Sequence, residues 1–379
     1  MNPHALNVLE YRDALDIVAR YASSSLGADA VRALEPSADL GWIEPELTRV
    51  DQMRGFLRGD AGWYIPAIPD VRDPLRKLRV EGSVLDGTQL RDVATLLASS
   101  RVTRRAIQGQ AATFPLLAML GNALVEAEKE ETEIGRTVDD HGVVRDEASP
   151  LLYRTRREIK SARNRLVEKL ASYVSSLPAH YQVPDASVTV REGRFVIPIR
   201  REGRGEVGGI VHDESGTGAT LFVEPPVAVE MMNRLRELEA TEQREVTRIL
   251  REATTRLRPQ QPELLATLDS LVRLDAVFAR ARYARKADAA IPAVLPAGTE
   301  EYVVVRGFHP ILLARGERVV PFDLRMDPGE RTLLISGPNT GGKTVLLKAI
   351  GLISLLAQSG VVPPVAEGSR LPVFRDVFA

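Results

Sequence analysis

The sequence predicts a mainly α protein with an α/β portion: a helical core, a long antiparallel helix pair capped by a small β module, and a terminal α/β segment. Three observations carry this. Apolar residues recur at three and four spacing through most of the 379 residues. Between two long helices with narrow apolar stripes the period drops to two, with glycine-rich connections. Near the C-terminus an apolar run, a glycine-rich octapeptide and a second apolar run follow one another.

Composition excludes several classes. With 44% hydrophobic and 27% charged residues the chain is ordinary for a soluble globular protein and is neither disordered nor fibrous. Lys+Arg total 50 against Asp+Glu 51, so any nucleic-acid surface must come from local clustering of charge. The absence of Cys excludes disulfides and thiolate metal sites and suits a reducing compartment. Met1 to Arg12 lacks a basic stretch followed by an apolar one, and no segment has about eighteen continuous apolar residues, as a membrane span would. The expected location is cytoplasmic.

Residues 1–145 read as a helical core domain. From Val8 to about Gln110 the spacing is helical, as in Leu15, Val18, Ala19 and Tyr21, then Leu47, Val50, Met53 and Leu57, broken by Pro and Gly. Trp42, Trp63 and Tyr64 are expected to pack its core, with base stacking as the sharper alternative. The run containing Glu126, Glu128, Glu130, Glu131 and Glu133 reads as a solvated helix face. Asp139-Asp140-His141-Gly142 is a turn with Asp146 close beyond it. Its carboxylates are expected to cap backbone N–H groups, although the same set could hold a divalent ion.

Residues 146–186 form the outgoing helix of the pair. Ser149-Pro150 is an N-cap followed by proline at the first helical position. Leu152, Ile159, Leu166, Leu170 and Tyr173 make a narrow stripe, and the rest of the surface carries Arg154, Arg156, Arg157, Lys160, Arg163, Arg165 and Lys169 against only Glu158 and Glu168. The returning helix lies in residues 226–292, where Leu235, Leu238, Val246, Ile249, Ala253 and Leu257 form the stripe and Glu230/Arg234 and Glu252/Arg256 are i,i+4 pairs. Neither helix buries its stripe alone, so the two should pair into an arm on the order of 40 Å long. Between them, residues 187–225 form the β module, with strands at Ser187 to Arg191, Arg194 to Ile199, Gly209 to His212 and Thr220 to Val223. Arg191, Arg194, Arg200, Arg201 and Arg204 gather there against Glu192 and Glu202, an excess suited to gripping a phosphate backbone without reading sequence. A charge-protected edge strand is the competing reading.

Helical spacing resumes through Leu268, Leu271, Leu274, Val277 and Ala281, and Pro292 to Gly298 reads as a linker. Residues 298–379 then form a new domain with strand-like runs at Tyr302 to Val305, Val319-Val320 and Thr332 to Ser336, the last read as a buried parallel strand. Gly337-Pro338-Asn339-Thr340-Gly341-Gly342-Lys343-Thr344 fits G-x-x-x-x-G-K-[ST] and precedes an apolar helix from Val345 to Ala357. Glycines let backbone N–H groups close round phosphate oxygens, and the helix N-terminus adds partial positive charge. Lys343 should reach the β/γ-phosphates and the Thr344 hydroxyl should hold Mg²⁺, so ATP and Mg²⁺ are the expected cofactors. No hydrophobic strand ending in Asp follows the loop. Catalytic residues therefore go unassigned, and weak nucleotide binding with little turnover is expected of this chain alone.

GPNTGGKTVLLKAIGL with the preceding His309-Pro310 resembles the ATPase domain of the MutS family. SVTVREGR from Ser187, IVHDESGTGATLFVEP from Ile210 and DEASP from Asp146 resemble its second bacterial branch, the MutS-two proteins, and the resemblance covers essentially the whole chain. It implies a homodimer whose lever helices and β clamps embrace nucleic acid, driven by ATP. It also implies suppression of homologous recombination on branched DNA, a C-terminal Smr nuclease domain, and binding to collided ribosomes. The Walker B carboxylates, the signature loop and the nuclease residues are expected outside these residues. A non-catalytic lever and clamp with a vestigial nucleotide site is the alternative.

Overall fold

The computed structural model describes residues 2–59, 63–184, 187–337 and 342–379. In chain order the elements begin with α1 (Pro3–Val8), α2 (Tyr11–Ala19), α3 (Ser25–Arg32), α4 (Leu40–Phe56), α5 (Arg72–Leu78), α6 (Gly87–Gln108), α7 (Pro115–Gly121) and α8 (Glu128–Thr137). Next come α9 (Pro150–Ser176), β1 (Thr189–Arg191), β2 (Arg194–Arg200), α10 (Arg204–Val207), β3 (Ile210–Glu214), β4 (Thr220–Glu224) and α11 (Pro226–Leu257). The chain continues with α12 (Gln261–Lys286), β5 (Ala293–Leu295), β6 (Tyr302–Gly307), α13 (Pro310–Ala314), β7 (Phe322–Met326), α14 (Lys343–Gln358) and β8 (Arg370–Pro372). The fold is mainly α with an α/β part, as expected. Two compact units divide it: Met1–Val80, Asp92–Thr132 and Leu257–Ala379 form one, and Glu81–Arg91 with Glu133–Arg256 form the other.

The first unit is built round α12. That helix is buried all round in its middle, Leu274 to Ala281, and it packs against α2, α3, α4, α5 and α7. Tyr11, Leu15 and Val18 of α2, Ala279 and Tyr283 of α12, and Leu352, Leu355 and Leu356 of α14 share one core. A buried carboxylate orders part of this layer: Asp275 accepts from Ser23 N (2.8 Å), Ser24 N (2.9 Å) and Ser24 Oγ (2.6 Å), and so holds the start of α3. The sheet of this unit has the order β5-β8-β6-β7. Tyr302, Val304 and Leu371 of its strands pack on Ile353 and Ala357 of α14.

The second unit holds the long helices. Ser149 caps α9 by accepting from Leu152 N (3.0 Å), with Pro150 at the first position. The two helices run antiparallel, because partners ascend on α9 as they descend on α11: Ser149 with Glu245, Arg156 with Glu242 and Arg163 with Glu239. Strand order in the β module is β1-β2-β4-β3, all antiparallel, with a register shift between Val211 and Asp213. Ile159, Leu166 and Leu170 of α9, Ile197, Ile199, Leu221 and Val223 of the strands, and Met232, Leu235 and Leu238 of α11 form a single core.

Several expectations change. Pro292 to Gly298 is more than a linker, since β5 within it pairs in parallel with β8. Val319-Val320 is not a strand, and Val320 is 81% exposed; the strand is Phe322–Met326, whose alternation lets one face meet the core. Tyr64 is exposed while Trp63 packs edge-on against Phe56 and Phe278, because neighbours in a non-helical stretch point to opposite sides. On α11, Glu252 pairs with Arg248 and Arg234 with Glu237 and Glu158, instead of the expected i,i+4 partners. The acidic run near α8 is not simply solvated: Glu131 binds Arg101 through two 2.9 Å contacts, and Glu126 and Glu128 pair with Arg105.

Candidate nucleotide loop and nucleic-acid surface

The glycine loop is framed by two residues whose backbones need glycine. Gly337 has φ 145° and Gly342 φ 76°, both in the left-handed region. Pro338, Asn339, Thr340 and Gly341 lie outside the described residues. Gly342 is the N-cap of α14 and, having no side chain, makes no side-chain cap itself. Lys343 folds back and donates from Nζ to the Gly337 carbonyl at 2.5 Å. Thr344 is exposed in that same turn. A helix start with glycine at its N-cap, the Lys343 ammonium folded back to Gly337 and the exposed Thr344 make up a donor set that fits a polyphosphate with its magnesium ion.

The approach to the loop departs from expectation. Thr332 to Ser336 is not a strand, and Leu333 and Leu334 are 44% and 88% exposed. A parallel strand is held by neighbours in the sheet, and among the described residues neither sheet extends a strand to this run. The apolar helix is buried only in its second half: Val345 and Leu347 are exposed, whereas Leu352 to Gln358 are buried. His309 is 4% exposed, its Nδ1 has no hydrogen-bond partner among the described residues, and burial pushes its pKa down. Beside it Lys348 binds Glu10 at 2.9 Å.

The structure brings the five β-module arginines onto one module but gives most of them partners. Arg191 meets Asp213 at 2.9 Å and stacks on the Phe222 ring. Arg194 meets the buried Glu224 at 2.9 Å, and the other carboxylate oxygen contacts His212 Nε2 at 2.9 Å. Arg201 binds Glu214 at 2.5 Å and the Gly218 carbonyl. Arg200 donates to the Gln182 carbonyl at 3.1 Å, and Arg204 is exposed on α10. Among the described residues neither Arg200 nor Arg204 has a carboxylate partner. The buried Arg194–Glu224–His212 set was not apparent in the sequence, because Glu224 ends a strand next to two prolines and looks like a surface residue.

Two further sites resolve alternatives. Asp139 accepts from His141 N (2.9 Å) and Val143 N (2.8 Å), and these backbone bonds, Val143 first, hold its carboxyl below the usual range. This is the capping role. Asp146 is instead engaged by Arg156. At the base of α9, Glu245 is 5% exposed and binds Arg248 through both oxygens and the Ser149 hydroxyl at 2.6 Å. Those bonds push its pKa down to about 2.

The loop, the paired helices and the β module set the comparison with known proteins. An endonuclease MutS2 of Gemmatimonas aurantiaca is 51% identical over 382 residues, which is 100% of this chain and 46% of the relative. The chain corresponds to the N-terminal half of a MutS2 protein. MutS2 proteins of Geobacillus kaustophilus and Pelotomaculum thermopropionicum are each 41% identical, again over 100% of the chain and 48% of the relative. Thus the chain spans about half the length of the curated relatives it matches. All three relatives carry the name endonuclease. No family model matches the chain. Among the described residues no helix is long and apolar enough to cross a membrane.

Proposed function

We propose that this chain is the nucleotide-binding and nucleic-acid-holding half of an ATP-driven DNA-processing protein of the MutS2 kind. The observation that carries the reading is the glycine N-cap of α14 with the Lys343 ammonium folded back onto the Gly337 carbonyl. Gly337 to Thr344 hold ATP, Lys343 neutralises the β/γ-phosphates, and Thr344 is the Mg²⁺ ligand. Magnesium-bound ATP supplies the phosphoryl chemistry when present; the residues of this chain bind and orient it. The name of the relatives supports a nucleic-acid substrate, with nuclease action assigned to the half that they carry beyond this match.

The finer reading is a cytoplasmic homodimer that acts on branched DNA to restrain homologous recombination, with ribosomal RNA as a second client. In the β module Arg200 and Arg204 are the free phosphate contacts, while Arg191, Arg194 and Arg201 hold the module together and supply what charge their carboxylates leave. One observation favours a second reading, a lever and clamp with a vestigial nucleotide site: the run before the loop is exposed. The test is binding of the chain to a four-way DNA junction, linear duplex and purified ribosomes at two salt concentrations, beside ATP turnover. The proposal expects salt-sensitive DNA binding, stronger on the junction; no DNA affinity at low salt overturns it.

A further inference from the structure

The charge of α9 is lopsided in a way that pairing does not remove. Pro150–Ser176 contains seven Lys or Arg against Glu158 and Glu168. The structure sorts these cations into two sets. Arg156 and Arg163 turn toward α11 and are neutralised by Asp146, Glu242 and Glu239. Arg154, Arg157, Lys160, Arg165 and Lys169 are exposed, and among the described residues none of them has a carboxylate within ion-pair distance. Two acids stand on the same face, Glu168 and Glu158, the latter contacting Arg234 at 3.8 Å. On α11 the balance is even, with six Arg against six Glu.

Geometry aligns the free set. At 3.6 residues per turn Arg165 stands about 20° round the helix from Arg154, with Arg157 and Lys169 about 60° to either side and Lys160 on the flank, about 120° round on the Arg157 side. The buried stripe of Leu152, Ile159, Leu166 and Leu170 is on the opposite face. From Arg154 to Lys169 the rise is about 22 Å, which matches roughly six base pairs of duplex at 3.4 Å each. The Arg157 guanidinium sits over the Tyr153 ring at 5.7 Å, which limits its freedom before any ligand arrives. Basic side chains without carboxylate partners along one helix face suit a phosphate backbone.

We infer that the outward face of α9 is the principal duplex-DNA contact of this chain, a backbone-tracking stripe made of Arg154, Arg157, Arg165 and Lys169 with Lys160 on its flank. The inference rests on the proposed DNA function and deepens it: the charge free to release counterions lies along the helix, whereas most of the β-module arginines are already paired. Binding through this face is independent of sequence.

The experiment measures affinity of the 379-residue chain for a 30-base-pair duplex across a salt series. It compares the unsubstituted chain, an Arg157→Gln/Arg165→Gln/Lys169→Gln variant, the charge-keeping Arg157→Lys/Arg165→Lys variant, and an Arg200→Gln/Arg204→Gln variant. Circular dichroism verifies that each is folded. Each lost phosphate contact flattens the plot of log affinity against log salt by about 0.9, so the triple variant should flatten it by about two to three units on every duplex sequence. The Lys variant should keep the slope, and the β-module variant should lose less than the triple. A triple variant with an unchanged slope, a larger loss in the β-module variant, or a loss seen on duplex RNA but not on DNA overturns the inference and leaves the proposed function standing. An unsubstituted chain without salt-dependent DNA affinity overturns both.

Discussion

Glu245→Gln tests the join between the two long helices. The buried carboxylate fixes the Ser149 hydroxyl at 2.6 Å, Ser149 in turn caps α9, and Arg248 contributes two bonds at 2.7 and 2.8 Å. Glutamine still accepts from Ser149, but its amide turns a donor toward the guanidinium, so the charge-assisted pair is lost. Such bonds are worth about 1.5–3 kcal/mol, and because Arg248 is 48% exposed, solvent recovers part of that. A loss of about 1–2 kcal/mol, or roughly 5–30-fold in local opening, is expected. Hydrogen exchange followed by mass spectrometry reads it in peptides from α9 and α11, which open as a unit if the join matters.

The same variant carries a pH signature. The folded pKa of Glu245 is pushed down to about 2 from 4.5, first by Arg248 and then by Ser149. A depressed carboxyl stabilises the fold above its unfolded pKa, and that contribution fades as pH falls through the folded one. The difference between Glu245→Gln and the unsubstituted chain should therefore be full at pH 7 and smaller at pH 3, after correction for intrinsic exchange. Equal protection at pH 7, or a difference that grows on acidification, would refute the reasoning.

Two further substitutions probe each unit by itself. Gly27→Ala would ordinarily favour a helix, yet here the added Cβ would lie 2.1 Å from Asp275 Oδ2, so the sign reverses. A loss of about 1–3 kcal/mol is expected in urea unfolding followed by Trp42 and Trp63 fluorescence, and a stabilised variant would contradict it. Leu166→Ala removes a fully buried side chain from the core shared by α9, α11 and the strands. It should cost about 2–5 kcal/mol in the exchange of the second unit and leave the tryptophan transition unmoved.

The legible parts of the fold were those written in local periodicity. Leu152, Ile159, Leu166 and Leu170 announce a helix with one face to bury, and the switch to period two at Thr189 announces the strands, so Pro150–Ser176 and β1 to β4 emerge close to where spacing puts them. The fate of charges was not legible. Arg191 and Arg194 find their acids 22 and 30 residues away across the sheet, in a register that depends on a bulge between Val211 and Asp213. Equal numbers of arginines on two segments thus had different availability, and only the folded partners distinguish them. Thr332 to Ser336 illustrates the same limit for strands, since an apolar run states a preference and neighbouring strands decide whether it is met. In the candidate nucleotide site the spacing of glycines, Lys343 and Thr344 was plain, while the exposure of Leu334 was not.

The central claim is that Gly337 to Thr344 form a phosphate site, and calorimetric titration of ATP with Mg²⁺ into the chain and into Lys343→Ala tests it most directly. A lost charge-assisted bond of about 1.5–3 kcal/mol corresponds to roughly 10–150-fold in affinity. The account predicts weak, saturable binding by the unsubstituted chain and binding at least about tenfold weaker in Lys343→Ala. Equal affinity in the two proteins, or no heat of binding in either, would contradict it.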